Sequence, residues 1–171
     1  TADVLEAWSG LGYNSRAIRL REAARIIASK GWPTDVKGLE ELPGVGPYTA
    51  AAVACFGFGT QIAAPDTNAR RVLSRWHGTP LSSRALWEAG GAEVPPGGAA
   101  ECYQAVMDMG ATLCRPRNPE CGRCPVAAWC ADPTVYEPPR PQGRFEGSTR
   151  EARGAVVRHL VQYGRADLTG I

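Results

Sequence analysis

The chain has 171 residues, which is enough to bury a core in one domain or in two small ones. Its composition is ordinary for a globular protein, with 44% hydrophobic and 21% charged residues, and no apolar run approaches the roughly 20 residues that cross a bilayer. No secretory signal is visible at the first residue, so we expect a reducing cytoplasmic setting rather than a membrane protein or a secreted, disulfide-stapled one.

The pattern of apolar residues, caps and breakers predicts helices along the chain. Ser15 is expected to cap the second helix, Trp32-Pro33 to end it, and Pro47 to take the first position of a later one. No alternating pattern typical of a strand occurs, so the predicted fold class is all-α. The expected helices cover residues 3–9, 15 to the break at 32, 36–42, 48–56, 67–76, 82–90, 98–113 and 148–161.

A glycine-rich turn, Leu42-Pro43-Gly44-Val45-Gly46, joins two of these helices. Glycines let backbone N–H groups approach a ligand closely, and the helix that follows offers its positive end. The turn can therefore hold a phosphate without a side-chain charge. An ordinary glycine turn is the alternative that this motif leaves open.

Asp66 stands directly before the helix predicted over 67–76. The commoner explanation for such an aspartate is a helix N-cap, and the local pattern favours it. The functional alternative is a carboxylate at the mouth of a cleft, where its charge can stabilise an oxocarbenium-like sugar cation.

Four cysteines, with the spacing C-x6-C-x2-C-x5-C, lie within 17 residues at Cys114, Cys121, Cys124 and Cys130. Four thiolates this close can enclose one metal centre, either zinc or an iron–sulfur cluster. One short knuckle flanked by single cysteines is unusual for zinc and compatible with a [4Fe–4S] cluster, in which each iron takes one thiolate. Two disulfides are the remaining alternative. Cys55 lies in an apolar run and is expected to be a small buried side chain.

The net charge of +2 does not by itself identify a nucleic-acid-binding protein. Arginines are nevertheless grouped along the sequence, and such groups are usually solvated faces. The two groups are Arg70, Arg71 and Arg75, and Arg115, Arg117 and Arg123.

Taken together, the order of these motifs resembles the helix-hairpin-helix DNA glycosylases that carry an iron–sulfur cluster. The resemblance implies a helical barrel subdomain, with a hairpin at about 36–57 that grips the DNA backbone, and a cluster loop subdomain; the target base is flipped into a pocket. It implies that Asp66 is the catalytic aspartate and that the four cysteines hold a [4Fe–4S] cluster. It also implies DNA contacts from Leu42, Gly44, Val45 and Gly46 in the hairpin, from Arg70, and from Arg115, Arg117 and Arg123 in the cluster loop.

The expected domain organisation follows from this resemblance. Residues 1–113 form the helical domain, 114–131 the cluster loop, 132–147 a proline-rich linker, and 148–171 the incomplete start of a C-terminal segment. The expected partner is double-stranded DNA with a mismatch. A monomer in the bacterial cytoplasm, associated with the nucleoid and not with a membrane, is expected.

Within that family, the A/G-specific adenine glycosylases look most similar. The stretch from Trp8 to Tyr13, Trp-Ser-Gly-Leu-Gly-Tyr, resembles their signature, whose tyrosine wedges into the base stack. Residues 104–111, Gln-Ala-Val-Met-Asp-Met-Gly-Ala, resemble a second one. Tyr48 and Asn68 match pocket residues that contact the catalytic aspartate and the reacting sugar.

Position 48 distinguishes the subclasses. Relatives that also cleave the DNA backbone carry a lysine at this position, and its amine can attack the sugar and form a Schiff base. Tyr48 cannot, so the resemblance implies a monofunctional enzyme that hydrolyses the N-glycosidic bond of adenine opposite 8-oxoguanine or guanine. Thymine-mismatch glycosylases also carry a tyrosine there, so a thymine or uracil mismatch glycosylase stays open, as does a non-catalytic mismatch-binding module.

The sequence departs from the family at both ends. The family stretch that carries a catalytic glutamate, the acid that protonates adenine, has no counterpart among these 171 residues, and neither has the C-terminal domain of many members. General acid catalysis contributes about 10² to 10⁴-fold. We therefore expect the chain, as a fragment, to be weak or inactive although the full-length family member is active.

Overall fold

The computed structural model describes residues 1–135 and 143–164. These residues form helices and contain no strand, which confirms the all-α prediction. The helices are α1 Ala2–Ala7, α2 Ser15–Lys30, α3 Val36–Glu40, α4 Pro47–Ala52, α5 Thr67–Trp76, α6 Ser83–Ala92, α7 Ala99–Thr112 and α8 Thr149–Tyr163. None of the helices in the described part is long and apolar enough to cross a membrane.

The chain divides into two compact units. The first unit contains Thr1–Trp32, Leu42–Gly44 and the described residues 143–164. The second unit contains Pro33–Glu41 and the described residues 45–135. Residues 136–142 of the predicted linker and 165–171 of the predicted C-terminal segment lie outside the described residues. The domain boundaries expected from the sequence stay a prediction.

In the first unit, α1 packs against both α2 and α8. The side chain of Ser148 caps α8 by accepting a hydrogen bond from the backbone N–H of Glu151, as expected for a helix beginning there. The expected cap at Ser15 is wrong. Asn14 precedes the helix and is already helical, with φ −53° and ψ −25°, so Ser15 is the first helical residue and α2 has no side-chain cap.

In the second unit, α5 packs along α7, and their contact forms the centre of the core. Gly110 allows this close approach, because a β-carbon there would lie 2.7 Å from Cβ of Asn68. Cys55 is fully buried in the same core, as expected. The buried residues of this cluster are Ala51, Cys55, Ala63, Ala64, Ala69, Val72, Ala99, Tyr103 and Val106.

The helix that begins at Pro47 is not α-helical throughout, which corrects the prediction of one regular helix over 48–56. After Ala52 it widens into a π-helical turn, Val53–Gly57. Such turns insert one residue into an α-helix and are frequent at functional sites. This turn carries the fully buried Ala54 and Cys55 into the core.

Candidate active site and cluster loop

Asp66 is the N-cap of α5. Its Oδ1 accepts a hydrogen bond from the backbone N–H of Ala69 at 2.7 Å, so the capping interpretation is confirmed. Its Oδ2 accepts a second hydrogen bond, from Asn68 Nδ2 at 3.1 Å. Both oxygens therefore have a fixed orientation at the positive end of the helix, where a carboxylate is stabilised.

Tyr48, in the first turn of α4, belongs to the same neighbourhood. Burial and, to a lesser extent, the negative charge of Asp66 raise the pKa of the Tyr48 phenol. The phenol thus stays protonated at neutral pH and can donate a hydrogen bond. The side chain remains 41% exposed, so it is accessible from solvent beside the aspartate.

Arg71 extends this network into the protein, although no motif in the sequence indicates a role for it. The residue is 7% exposed. Its Nη2 donates to Asn68 Oδ1 at 2.9 Å and to the carbonyl oxygen of Gly110 at 2.6 Å, and its Nε donates to the carbonyl oxygen of Cys114 at 2.7 Å. A continuous chain of hydrogen bonds therefore runs from Asp66 through Asn68 and Arg71 to the first cysteine.

Arg75, one turn further along α5, holds the cysteine loop directly. It is 2% exposed, and its Nη1 donates to Cys114 Sγ at 3.1 Å and to the carbonyl oxygen of Arg115 at 2.9 Å. Its Nε donates to the carbonyl oxygen of Val135 at 3.0 Å. The expectation of a solvated arginine face is thus wrong for Arg71 and Arg75, because backbone carbonyls of a distant segment satisfy both guanidinium groups.

The four cysteines line one cavity of about 70 Å³. All six cysteines of the chain fall within the described residues and are free thiols, so the alternative of two disulfides is not what the structure shows. Among residues 1–135 and 143–164, no three cysteine, histidine, aspartate or glutamate side chains are arranged so that they could hold a single metal ion. The thiols instead surround a space, as the ligands of a cluster do when each iron takes one thiolate.

The electrostatics of this cavity fit a cationic centre. Burial raises the pKa of the Cys130 thiol, the charges of the other three thiols raise it further, and Arg75 lowers it. Four thiolates that repel one another in a half-buried cavity need positive charge between them, which the irons of a cluster supply.

The three arginines of the cysteine loop differ in their surroundings. Glu120 pairs with both Arg115 and Arg123; its Oε2 lies 2.5 Å from Arg123 Nη1. Arg117 is exposed, and no ion pair to it is found in the described part of the chain. Outside the loop, Arg70 donates to the carbonyl oxygen of Leu81 at 2.7 Å, so it ties α5 to the segment before α6. The DNA contacts expected of these four residues stay a prediction.

The glycine turn lies between α3 and α4, as the sequence predicts. Gly44 adopts the left-handed region, with φ +81°, and both Gly44 and Gly46 are exposed. Val45 is half-buried and Leu42 is buried, so Leu42 anchors the turn through its side chain.

Tyr13 is presented by a braced loop. It is 60% exposed and adopts a left-handed φ of 47°, which is uncommon for a tyrosine. The indole Nε1 of Trp8 donates to the carbonyl oxygen of Gly12 at 2.8 Å, and the Arg16 guanidinium lies 5.6 Å from the centre of the Trp8 ring. The backbone N–H of Arg16 donates to the Tyr13 carbonyl oxygen at 2.8 Å, which closes the loop.

Comparison with known proteins places the chain in a class. Residues 1–88 match the family described as HhH-GPD superfamily base excision DNA repair protein, and the chain belongs to that superfamily. Residues 114–130 match the iron–sulfur binding domain of endonuclease III, and the cysteines within that range are the four that line the cavity. The chain therefore carries an iron–sulfur cluster of the [4Fe–4S] type.

Individual relatives refine this placement. The chain is 41% identical over 177 residues to an adenine DNA glycosylase of Mycobacterium tuberculosis, covering 92% of this chain and 56% of that protein. It is 38% identical over 138 residues to the human adenine DNA glycosylase, covering 75% of this chain and 25% of that one. It is also 36% identical over 126 residues to a thymine/uracil-DNA glycosylase of Methanothermobacter thermautotrophicus, covering 69% of this chain and 57% of that protein. The chain thus spans about half the length of the mycobacterial relative.

Solved structures agree with the fold. A thermostable thymine-DNA glycosylase superposes with a TM-score of 0.70 at 34% identity, covering 76% of this chain and 64% of that one. A non-covalent endonuclease III–DNA complex superposes with a TM-score of 0.63 at 26% identity, covering 72% and 60%. The helix-hairpin-helix glycosylase fold expected from the sequence is confirmed.

Proposed function

We propose that the chain acts as a monofunctional DNA glycosylase on adenine opposite 8-oxoguanine or guanine in duplex DNA. The observation that carries the proposal is the Asp66 carboxylate, fixed at the N-cap of α5 by Ala69 and Asn68 with the protonated Tyr48 phenol nearby. The relatives named adenine DNA glycosylase in mycobacteria and in human support the choice of base.

Asp66 is the group that acts on the sugar in this proposal. As the glycosidic bond breaks, positive charge develops on the ring, and a carboxylate held in position stabilises it without reorganisation. Asn68 orients that carboxylate through Oδ2. Water then completes the hydrolysis and leaves an abasic site.

Tyr48 supports the carboxylate but does not become a nucleophile for the sugar. Its phenol is protonated at neutral pH and is therefore available to donate a hydrogen bond to Asp66 or to the reacting sugar. Because a phenol cannot form a Schiff base, the strand stays intact after the base departs.

The adenine must also be protonated to leave. None of the residues assigned here supplies that acid, so we expect slow excision by the 171-residue chain.

Three exposed parts of the chain bind DNA in this proposal. The backbone N–H groups of the turn at Gly44 and Gly46 bind a phosphate, Arg117 and its neighbours in the cysteine loop bind others, and Tyr13 wedges the duplex. Cys114, Cys121, Cys124 and Cys130 hold the cluster, which fixes the fold of the loop and takes part in no step on the base. The chain acts as a monomer on DNA in the cytoplasm.

A thymine or uracil mismatch glycosylase is the second candidate. It is favoured by the relative of that name and by the thymine-DNA glycosylase structure, whose superposition has the higher TM-score of the two compared.

The test compares two duplexes under single turnover, one with adenine opposite 8-oxoguanine and one with thymine opposite guanine. Alkali reveals abasic sites, and borohydride traps any Schiff base. We expect alkali-dependent product from the adenine duplex alone and no trapped complex. Preferential cleavage of the thymine duplex would replace the first proposal with the second, and a trapped complex would exclude a monofunctional mechanism.

A further inference from the structure

The side chain of Arg19, on α2, lies against the glycine of the hairpin turn. A β-carbon at Gly44 would be 2.8 Å from Cβ of Arg19 and 3.0 Å from its Cδ. The aliphatic stem of the arginine therefore covers one side of the glycine. Because Nε is bonded to Cδ, the guanidinium begins one bond beyond an atom that touches the turn. Both residues are exposed.

The Arg19 guanidinium has no counter-ion in the part of the chain that the structure describes. No hydrogen bond, ion pair or ring contact of its side chain is found there. The acidic residue one turn further along, Glu22, forms no ion pair with it either. The charge of α2 is strongly positive, since the helix carries five basic side chains and one acidic one.

A guanidinium in this position suits a phosphate. Its planar fork of donors matches two phosphate oxygens, and it remains charged at every pH of interest. Gly44 adds a backbone N–H in an exposed, left-handed conformation, the arrangement in which glycine lets a ligand approach the main chain. One phosphate oxygen can thus accept from the main chain while another accepts from the arginine.

We propose that Arg19 is a phosphate-binding residue of the hairpin, which adds a charged contact with the DNA backbone to the contact made by the main chain at Gly44. The inference rests on the proposed function, since it assumes that the turn meets duplex DNA. It assigns part of the affinity to α2, a helix that the sequence motifs leave without a role in binding.

The test is the salt dependence of equilibrium binding, measured by fluorescence anisotropy with a labelled duplex that carries adenine opposite 8-oxoguanine. Each phosphate contact contributes about 0.9 to the slope of log K against log salt. Arg19→Gln should reduce the slope by about 0.9 and weaken binding about five- to tenfold near physiological salt. Arg25→Gln removes the same charge from another exposed position of α2 and should leave the slope unchanged. Arg19→Lys keeps the charge and should restore most of the slope.

Arg19→Met guards against a packing effect, because it keeps the apolar stem against Gly44 and removes only the charge. It should behave like Arg19→Gln, with a wild-type melting temperature and iron content. Equal slopes for the Arg19→Met, Arg25→Gln and wild-type proteins would overturn the inference and leave the proposed function intact. Absence of salt-dependent binding by the wild-type chain would overturn both.

Discussion

Arg71 and Cys114 are joined by a hydrogen bond of 2.7 Å between the guanidinium Nε and the cysteine carbonyl oxygen, although 43 residues separate them in the sequence. The same guanidinium holds Asn68, whose side chain donates to Asp66. The proposed catalytic carboxylate and the first cysteine of the cluster loop are thus parts of one half-buried network. A substitution at either end of the network should therefore affect the structure at the other end.

Replacing Arg71 tests this network. Arg71→Gln cannot reach the carbonyl oxygens of both Gly110 and Cys114, and it removes the buried hydrogen bond to the Gly110 carbonyl oxygen. We expect a loss of about 1.5–3 kcal/mol in the free energy of unfolding, together with slower excision by the folded variant. Urea unfolding and single-turnover kinetics measure the two effects.

Arg84→Gln is the matched control for that substitution. It breaks an exposed ion pair with Glu88 on α6, where the arginine side chain is 89% exposed. Such a pair contributes no more than about 0.5 kcal/mol, so stability and rate should both stay close to wild type. Similar losses in the two variants would argue against a special role for Arg71.

Gly110→Ala tests the close approach of α5 and α7. The added β-carbon would lie 2.7 Å from Cβ of Asn68, so the helices must separate or Asn68 must move. We expect the free energy of unfolding to fall by about 1–3 kcal/mol. The excision rate should also fall, and by more than the fraction of unfolded protein accounts for. Gly91→Ala, on α6 with no atom within 4 Å of the added carbon, should be neutral or stabilising by up to about 1 kcal/mol.

Tyr48→Phe tests whether the phenol acts in its protonated form. Burial and the charge of Asp66 raise the pKa of Tyr48 above its ordinary value of 10.0, so the neutral form persists from low pH to beyond that value and ionises only above it. The ratio of wild-type to Tyr48→Phe excision rates should therefore exceed one and stay constant between about pH 6 and 9. A ratio that falls to one within that interval would show that the phenol ionises there, contrary to the direction of the shift.

Cys124→Ser tests the assignment of the cluster. The variant should lose the visible absorption of the protein and the iron content of about four atoms per chain, and it should unfold more easily. Cys102→Ser changes a half-buried thiol that does not line the cluster cavity and should keep both properties. Retention of iron by Cys124→Ser would require a different set of ligands.

The sequence predicted the parts of this molecule that depend on local patterns. The positions of the helices, though not their exact bounds, the glycine turn before α4 and the Asp66 cap each depend on a few neighbouring residues, and the structure has them. The gathering of four cysteines around one cavity also follows from spacing, because the loop between them is too short to separate them far.

The sequence could not predict features that depend on distant partners. Arg75 looks like a surface charge, yet it is buried because the main chain at Arg115 and at Val135, 60 residues away, accepts its hydrogen bonds. The π-helical turn at Val53–Gly57 and the pairing of Glu120 with two arginines likewise follow from packing that no local motif encodes.

The role of Asp66 in the excision of adenine can be tested directly by a single-turnover assay. The substrate is duplex DNA with adenine opposite 8-oxoguanine, and the cluster-loaded chain is in excess over the DNA. We expect slow formation of an alkali-sensitive abasic site by the wild-type chain. No product should form with Asp66→Asn, which keeps the helix cap and the binding affinity for the duplex but removes the charge. Equal product from the two proteins, or binding of the duplex without product from either, would contradict it.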